Sequence, residues 1–322
     1  MLAGKDSRQP QNVEDAETAG FVHDYNGFID YNFRWKPMAN IRLIRRRIHS
    51  IQNTAKITKA MEMVAASKMR RAQERALMSR PYAEKMNDVL AHLAAQPQSE
   101  GGLHPLLVRR PVNKMAIIHM TSDRGLCGGL NTNVNRLSGN YILTQDVAAT
   151  LVTVGKKGRD FMSRAGREIR AEFTGISDRP AVNDILPIAR IVIEDYTSGL
   201  VDRVFVTYPQ FRSTAVQQPV LDELLPIEPA KIETASTVEY IYEPNAAAVL
   251  SDLLPRYVEM QLYHALLETI ASEQSARMVA MRNATENANE MIQDLTLAYN
   301  KARQEMITSE LRDITGGAAA LK

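Results

Sequence analysis

Residues 246–322 form the longest helical pattern in the chain and read AAAVLSDLLPRYVEMQLYHALLETIASEQSARMVAMRNATENANEMIQDLTLAYNKARQEMITSELRDITGGAAALK. No proline or glycine stands between Pro255 and Gly316, so the local chemistry forces no break there. Alternating steps of three and four residues trace a stripe that is apolar except at three positions: Leu253, Tyr257, Met260, His264, Leu267, Ala271, Gln274, Met278, Met281, Thr285, Ala288, Ile292, Leu295, Tyr299, Ala302 and Met306. The stripe predicts a coiled-coil helix that ends at Gly316-Gly317.

A second apolar stripe, near the other end of the chain, predicts the partner of this helix. It consists of Ile41, Ile44, Ile48, Ile51, Ala55, Ile57, Met61, Val64, Met69, Ala72 and Ala76. Lys and Arg far outnumber acids in this stretch, whereas acids slightly outnumber bases in residues 246–322. Opposite charge favours the two helices as neighbours, although unrelated core helices would give similar stripes. Two helices that start from one central body must run antiparallel.

The last helix is the longer of the two, by roughly 15 residues or on the order of 20 Å. Its final turns mix polar residues with Met306, Ile307, Leu311 and Ile314. Apolar side chains on a lone helix end imply that something outside this chain covers them.

The sequence between the helices predicts an α/β domain. Candidate strands are Met115–Thr121, Thr150–Val154, Arg203–Tyr208 and Val238–Tyr242, and candidate helices are Asn131–Thr144, Gly158–Ala165 and Asn183–Gly199. The expected fold is therefore α/β: a long antiparallel two-helix coiled coil formed by the N- and C-terminal helices, with a small Rossmann-like domain inserted between them.

The expected fold divides the sequence into four segments. Residues 1–37 form a disordered extension or, alternatively, a docking segment that uses its aromatic residues. Residues 38–96 form the first helix with a kink near Pro81, residues 97–245 the α/β domain, and residues 246–322 the second helix.

Composition excludes several classes of site. The chain has 322 residues, of which 45% are hydrophobic and 24% charged, and no apolar run is long enough for a membrane span, which predicts a soluble protein with a substantial core. Cys127 is the only cysteine and the six histidines are scattered, so we expect no disulfide, no metal site, no cofactor and a reducing compartment.

Residues 122–131, SDRGLCGGLN, are the strongest candidate for an enzymatic site. A glycine-rich turn between a strand and a helix can bind phosphate. The spacing matches neither the P-loop nor the dinucleotide fingerprint, so a tight turn is the preferred interpretation. Cys127 has no histidine near it in sequence, and no catalytic residue is predicted. The cations of the first helix surround it without a recognised motif, so no nucleic-acid partner is expected.

Several stretches resemble the gamma subunit of F-type ATP synthase. Residues 51–69 (IQNTAKITKAMEMVAASKM) resemble its first helix, and residues 123–129 (DRGLCGG) its central domain. Its last helix is matched by residues 273–281 (EQSARMVAM), 299–304 (YNKARQ) and 307–311 (ITSEL). The likeness spans residues 38–322 and leaves residues 1–37 outside. The chloroplast form carries a regulatory cysteine pair that Cys127 alone cannot form, so the bacterial type is implied.

The resemblance implies a non-catalytic central rotor subunit, present in one copy per complex. Its coiled coil would enter a hexamer of alpha and beta subunits, and its α/β domain would sit with the epsilon subunit and the membrane ring of c subunits. Flow of protons or sodium ions would turn ring and shaft and shift each beta subunit in turn between open and closed states. Membrane association is then indirect and peripheral, on the cytoplasmic side of the cell membrane.

The resemblance also implies where the two helices meet beta subunits. The family positions at or near these contacts are Met61, Arg277, Arg303, Gln304, Thr308 and Glu310. Arg and Gln can make hydrogen bonds that form in one orientation and break in the next. Met61 could equally pack in the seam, and Arg277 could brace the coil internally. A static coiled-coil scaffold and a nucleotide-dependent enzyme remain the alternative functions.

Overall fold

The computed structural model describes residues 41–95, 104–228, 242–243 and 245–321. These residues fall into two compact units, one formed by residues 45–297 and the other by residues 41–44 with 298–321. The extension predicted over residues 1–37, and all of the predicted strand Val238–Tyr242 except Tyr242, lie outside the described residues. No described helix is both long enough and apolar enough to cross a bilayer.

Two long helices, α1 (Ile41–Ala95) and α5 (Ala246–Ala320), flank the sheet in the sequence. α1 continues through Pro81, and the kink proposed there stays a prediction. α5 passes through Gly316-Gly317, so the helix end predicted at these glycines is wrong. Glycine weakens a helix by about 1 kcal/mol but keeps its N–H donor, and the alanines that follow have the highest helix propensity.

The buried side of α1 in the larger unit follows a regular heptad. Its seam, with every member buried or half-buried, is Ile48, Ile51, Ala55, Thr58, Glu62, Ala65, Met69, Ala72 and Ala76. The predicted change of phase to Ile57 and Val64 is wrong, because these side chains are 60% and 55% exposed. Thr58 and Ala65 hold the seam positions next to them, and hydrophobicity alone does not find a buried threonine.

Contacts between α1 and α5 confirm the antiparallel pair within residues 45–297. The hydroxyls of Thr58 and Thr285 lie 2.7 Å apart, and Arg282 Nε donates to Glu62 Oε1 at 3.2 Å. Contacts further along α1 are thus made with residues nearer the start of α5, as expected for helices that run in opposite directions. A hydrogen bond from Lys59 lowers the pKa of the Glu62 carboxyl; burial opposes this effect, and Arg282 adds to it.

α5 buries its predicted stripe in one part and a different side in another. From Met281 to Leu295 the stripe is confirmed, since its members are buried or half-buried and most residues between them are exposed. Further toward the start of the helix the phase is wrong: Leu254, Val258, Leu262 and Leu266 are buried, and the predicted Leu253, Tyr257, Met260 and His264 are half-buried. These buried residues belong to the core of the sheet domain, which rotates the apolar side of the helix.

The segment between the long helices forms a five-stranded sheet of order β3-β2-β1-β4-β5. Its elements are a 3-10 turn (Pro105–Leu107), β1 (Lys114–Met120), α2 (Leu130–Thr144), β2 (Ala148–Val154), α3 (Lys156–Arg164), β3 (Ile169–Phe173), a second 3-10 turn (Val182–Asp184), α4 (Leu186–Thr197), β4 (Arg203–Phe211) and β5 (Gln217–Leu225). β1 to β4 pair in parallel, and β5 pairs antiparallel with β4. Strand–helix alternation around a mainly parallel sheet confirms the α/β prediction.

Two strands, β3 and β5, were not predicted. β3 is only five residues long and carries the charged Arg170 and Glu172. β5 contains Pro219, Asp222 and Glu223, which are poor strand formers. Both strands lie at edges of the described sheet, where proline and charge are tolerated because one side of the backbone needs no partner strand.

Both faces of the sheet are covered by core residues. On one face, residues of β1, β4, α4 and α5 pack together, including Ile118, Val206, Ile188, Val192, Leu254 and Val258. On the other, a smaller cluster comprises Met115, Ile117, Leu151, Phe205, Ile142 and Met162.

A polar row crosses the buried centre of the sheet. His119 of β1 is in register with Thr153 of β2 and Thr207 of β4, and all three are fully buried. The ring nitrogens of His119 lie 2.8 Å from Ser138 Oγ and 2.8 Å from Asn135 Oδ1. Burial lowers the pKa of His119 to about 4, so the ring is neutral at neutral pH.

Candidate functional site

The glycine-rich turn after β1 places a carboxylate, that of Asp123, at the N-terminus of α3. Asp123 Oδ1 accepts from the Lys156 N–H at 2.9 Å, and Asp123 Oδ2 accepts from the Gly175 N–H at 2.7 Å. The next N–H groups of α3 donate to Ser122 O and to Thr121 Oγ1. A helix N-terminus binds phosphate through these free N–H groups. Here the protein satisfies them itself, which favours the tight-turn interpretation over a nucleotide site.

Cys127 lies buried inside the same turn. Asn131 Nδ2 donates to its sulfur at 3.3 Å, and burial raises the pKa of the thiol. A raised pKa keeps the sulfur protonated, whereas a nucleophilic cysteine needs the thiolate. Across the described residues, no group of His, Cys, Asp and Glu is arranged to hold a metal ion.

Met61 lies half-buried on α1, beside the seam residue Glu62. Its neighbours on the open side of the helix, Ile57, Met63 and Val64, are 55–62% exposed. Exposed apolar side chains in this number on one helix segment form a candidate contact surface. The sequence placed Ile57 and Val64 in the seam; their exposure is what identifies this surface, and periodicity carried no signal for it.

Arg277 of α5 is almost buried and its contacts are internal. Its Nη2 donates to Glu273 Oε1 at 2.6 Å and to the Gly125 carbonyl at 3.2 Å. The two side chains of this ion pair are only 11% and 13% exposed, and burial raises the pKa of the Glu273 carboxyl while Arg277 opposes the rise. Met61 and Arg277 both belong to the unit of residues 45–297.

The remaining predicted residues, Arg303, Gln304, Thr308 and Glu310, belong to the unit of residues 41–44 and 298–321. In that unit Ile44 is buried, and Ala298, Tyr299 and Ala302 are half-buried. From Arg303 to Leu321 every residue is exposed, including the apolar residues Met306, Ile307, Leu311 and Ile314. We call residues 303–320 the exposed end of α5.

A buried polar face on α5 was missed at the level of sequence. Ser272, Gln274 and Ser275 are at most 2% exposed, yet they carry hydroxyl and amide groups. The interruption of the apolar stripe at Gln274 was the available signal, and it pointed to this face without revealing what the face contacts.

Comparisons with known proteins agree with this architecture. The family model described as ATP synthase matches residues 40–321. The ATP synthase gamma chain of Dehalococcoides mccartyi is 61% identical over 284 residues, which cover 88% of this chain and all of the relative. The gamma chain of Herpetosiphon aurantiacus is 48% identical over 293 residues, covering 88% of this chain and 99% of the relative.

Solved structures give the same assignment. The central stalk and c-ring structure of the Tetrahymena thermophila mitochondrial ATP synthase contains a chain that aligns with a TM-score of 0.55 and 27% identity, covering 71% of this chain and 99% of that one. The rotor of the Euglena gracilis mitochondrial ATP synthase aligns with a TM-score of 0.58 over 83% of this chain and 98% of that one; at 20% identity it supports the fold alone. The chain belongs to the ATP synthase gamma-chain family and is a rotor subunit of the central stalk of an F-type ATP synthase.

Proposed function

We propose that the exposed end of α5 turns inside a hexamer of alpha and beta subunits and that this chain itself catalyses no reaction. One copy serves each complex, and the sheet domain sits with the epsilon subunit and the c ring on the cytoplasmic side of the cell membrane. The similar chains of the Tetrahymena and Euglena enzymes belong to assemblies described as central stalk and c-ring and as F1 and c-ring, which supports the hexamer and the c ring as partners.

The exposed end of α5 is the observation that carries this proposal. Its apolar side chains Met306, Ile307, Leu311 and Ile314 are 43–70% exposed, and Arg303, Gln304, Thr308 and Glu310 stand among them. Exposing these apolar side chains to water is unfavourable in free energy. A partner that surrounds the helix end would bury them. Charged and amide groups add contacts that differ from one orientation to the next.

A contact with a different beta subunit at each orientation is what couples rotation to chemistry. A rotor shifts a beta subunit between open and closed states only by the difference in its contact free energy with the two states. Gln304 and Arg303 supply directional hydrogen bonds that can differ between the two states. The exposed residues next to Met61 on α1 supply apolar contacts. We propose that Arg277 acts inside the chain, because both of its contacts are internal.

The partners are tested by co-purification. The chain, tagged in its host and isolated gently from membranes, should bring alpha and beta subunits, the epsilon subunit and a c ring in fixed proportion. Recovery of the chain alone, or with unrelated proteins, would contradict its assembly with these subunits and would show that it has another function.

The exposed end is tested in the same complex with Gln304→Ala plus Thr308→Ala. We expect assembly to persist and ATP synthesis to fall relative to the hydrolysis rate. Thr296→Ala is the matched control, because its hydroxyl, like that of Thr308, is exposed and donates to the backbone of its own helix, but it lies outside the exposed end of α5. A static scaffold would tolerate both variants equally, and unchanged synthesis in the double variant would show that the contact residues are wrongly assigned.

A further inference from the structure

The polar side chains on the buried face of α5 reach out of the helix to the sheet domain. Ser272 Oγ donates to the Pro209 carbonyl at 2.8 Å, and Ser275 Oγ donates to the Thr214 carbonyl at 2.9 Å. Glu268 Oε2 accepts from the Phe211 N–H at 2.7 Å. These backbone partners lie at the carboxyl end of β4 and in the turn that follows it.

Two further side chains of α5 bind the loops after β3 and β1. Gln274 Nε2 donates to Asp178 Oδ1 at 3.4 Å, and the other oxygen of Asp178 accepts from Lys68 Nζ of α1 at 2.6 Å. Arg277 Nη2 donates to the Gly125 carbonyl at 3.2 Å. The same few turns of α5 are thus hydrogen-bonded at the carboxyl ends of three parallel strands. We call Glu268, Ser272, Gln274, Ser275 and Arg277 the polar joint.

A polar joint is an unexpected way to pack this helix against the sheet if stability is its only purpose. Apolar contact is non-directional and buries surface equally well at neighbouring rotations of the helix. A hydrogen bond weakens steeply once its angle and distance are lost. Buried hydroxyl groups that bond to backbone carbonyls therefore fix one angle and one axial position of α5 on the sheet domain.

A rotor subunit is twisted between the part that is driven and the part that does work. Twisting load between the sheet domain and the coiled coil acts as shear across the surface where α5 rests on the strands. An apolar surface resists such shear weakly, since a small rotation exchanges one set of apolar contacts for another. Hydrogen bonds at several strand ends resist this shear, because a rotation of α5 on the sheet domain would stretch all of them at once.

We propose that the polar joint holds the angular register of α5 on the sheet domain and transmits torque between that domain and the coiled coil. Its members are positioning residues, which act through the helix rather than by touching nucleotide or beta subunits. The inference rests on the proposed function, because only a chain driven at its sheet domain and loaded at its exposed end carries this torque.

The test is Ser272→Ala plus Ser275→Ala in the assembled complex. Two measurements are made: ions pumped per ATP hydrolysed, and the spread of dwell angles in single-molecule rotation. We expect hydrolysis to continue, pumping per ATP to fall and the dwell angles to broaden, because load makes α5 slip on the sheet domain. A serine-to-alanine change keeps nearly the same volume, so the surrounding packing stays in place.

Thr269→Val is the matched control. Thr269 is 3% exposed on the same part of α5, but its hydroxyl donates at 2.7 Å to Ala265 O within the helix itself. The substitution removes a buried hydroxyl of the same helix and leaves the hydrogen bonds between α5 and the sheet domain in place. We expect pumping per ATP and dwell angles like those of the unsubstituted complex.

A purely structural role for the serines would lower the unfolding temperature and leave both rotary measurements at the control level; that result overturns the proposal. If the double variant does not assemble, Ser272→Ala and Ser275→Ala are measured singly, and each must broaden the dwell angles for the proposal to stand. Failure of the proposed function is seen separately, since Gln304→Ala plus Thr308→Ala would then leave coupling intact. Loss of coupling there, with normal pumping in the serine variants, would refute the polar joint alone.

Discussion

At the scale of single residues, we expect the buried His119 to make the sheet domain sensitive to acid. Its pKa falls from an unfolded value near 6.5 to about 4 because the ring is buried, and its neighbours Asn135, Ser138, Thr153 and Thr207 carry no charge. The folded state therefore binds the proton less readily than the unfolded state. Stability is complete above the unfolded pKa and declines as the pH falls toward the folded pKa.

We expect this histidine to remove roughly 3 kcal/mol of unfolding free energy between neutral pH and about pH 4. Denaturant unfolding of the purified chain, followed as a function of pH, measures the decline. His119→Gln should be less stable at neutral pH but should lose less stability on acidification to about pH 5, above the range in which carboxylates such as Glu62 titrate. Equal slopes for the two proteins would show that His119 does not cause the acid sensitivity.

Arg277 separates internal support from partner contact. Arg277→Gln leaves the buried Glu273 carboxylate without its cation, and we expect a loss of roughly 3 kcal/mol in the unfolding free energy of the chain alone. Arg312→Gln, on the exposed end of α5, should stay within about 0.5 kcal/mol. An unfolding free energy that stays unchanged in Arg277→Gln would show that the buried ion pair with Glu273 does not support the fold.

At the scale of elements, the seam of α1 gives a one-residue test of the register. Ala65 is buried in the seam of α1 and Val64 is more than half exposed, the reverse of what hydrophobicity suggests. Ala65→Asp should destabilise the chain by several kcal/mol, because it buries an unpaired charge. Val64→Asp should change the unfolding free energy by less than about 0.5 kcal/mol. Thermal unfolding followed by circular dichroism compares the two, and equal losses would mean that the seam lies elsewhere.

The elements that could be predicted from the sequence are those whose buried positions are occupied by apolar residues. The stripes from Ile41 to Ala55 and from Met281 to Leu295 identified the coiled coil, and β1, β2 and β4 were visible as short apolar runs. The seam at Thr58 and Glu62 was not visible, because their burial depends on partners across the pair, Thr285 and Arg282. β3 and β5 were hidden by charge and proline that an edge strand tolerates.

The candidate contact residues were predictable to a different degree. Arg303, Gln304, Thr308 and Glu310 were predicted from the resemblance of the last helix; all four are exposed, and their contact with beta subunits stays a prediction. The polar joint did not follow, because the partners of Ser272 and Ser275 are backbone carbonyls of Pro209 and Thr214. Every residue has such a carbonyl, so side-chain identity carries no information about this contact.

At the scale of the whole molecule, the proposed function leaves nucleotide chemistry to the partners of this chain. Asp123 already fills the N-terminus of α3, the place where a phosphate would bind in the sheet domain. We expect no heat of binding when ATP with magnesium is titrated into the purified chain. Saturable binding would restore the nucleotide-dependent enzyme as a competing function.

Direct observation of rotation tests the central claim. Cys127 is buried with a raised pKa, so a cysteine introduced by Ser163→Cys on the exposed side of α3 can be labelled selectively. With the alpha and beta subunits fixed to a surface and a bead on that cysteine, we predict unidirectional rotation of the bead that depends on ATP. A bead that stays still while the same complexes hydrolyse ATP would contradict the account and identify the chain as a static scaffold.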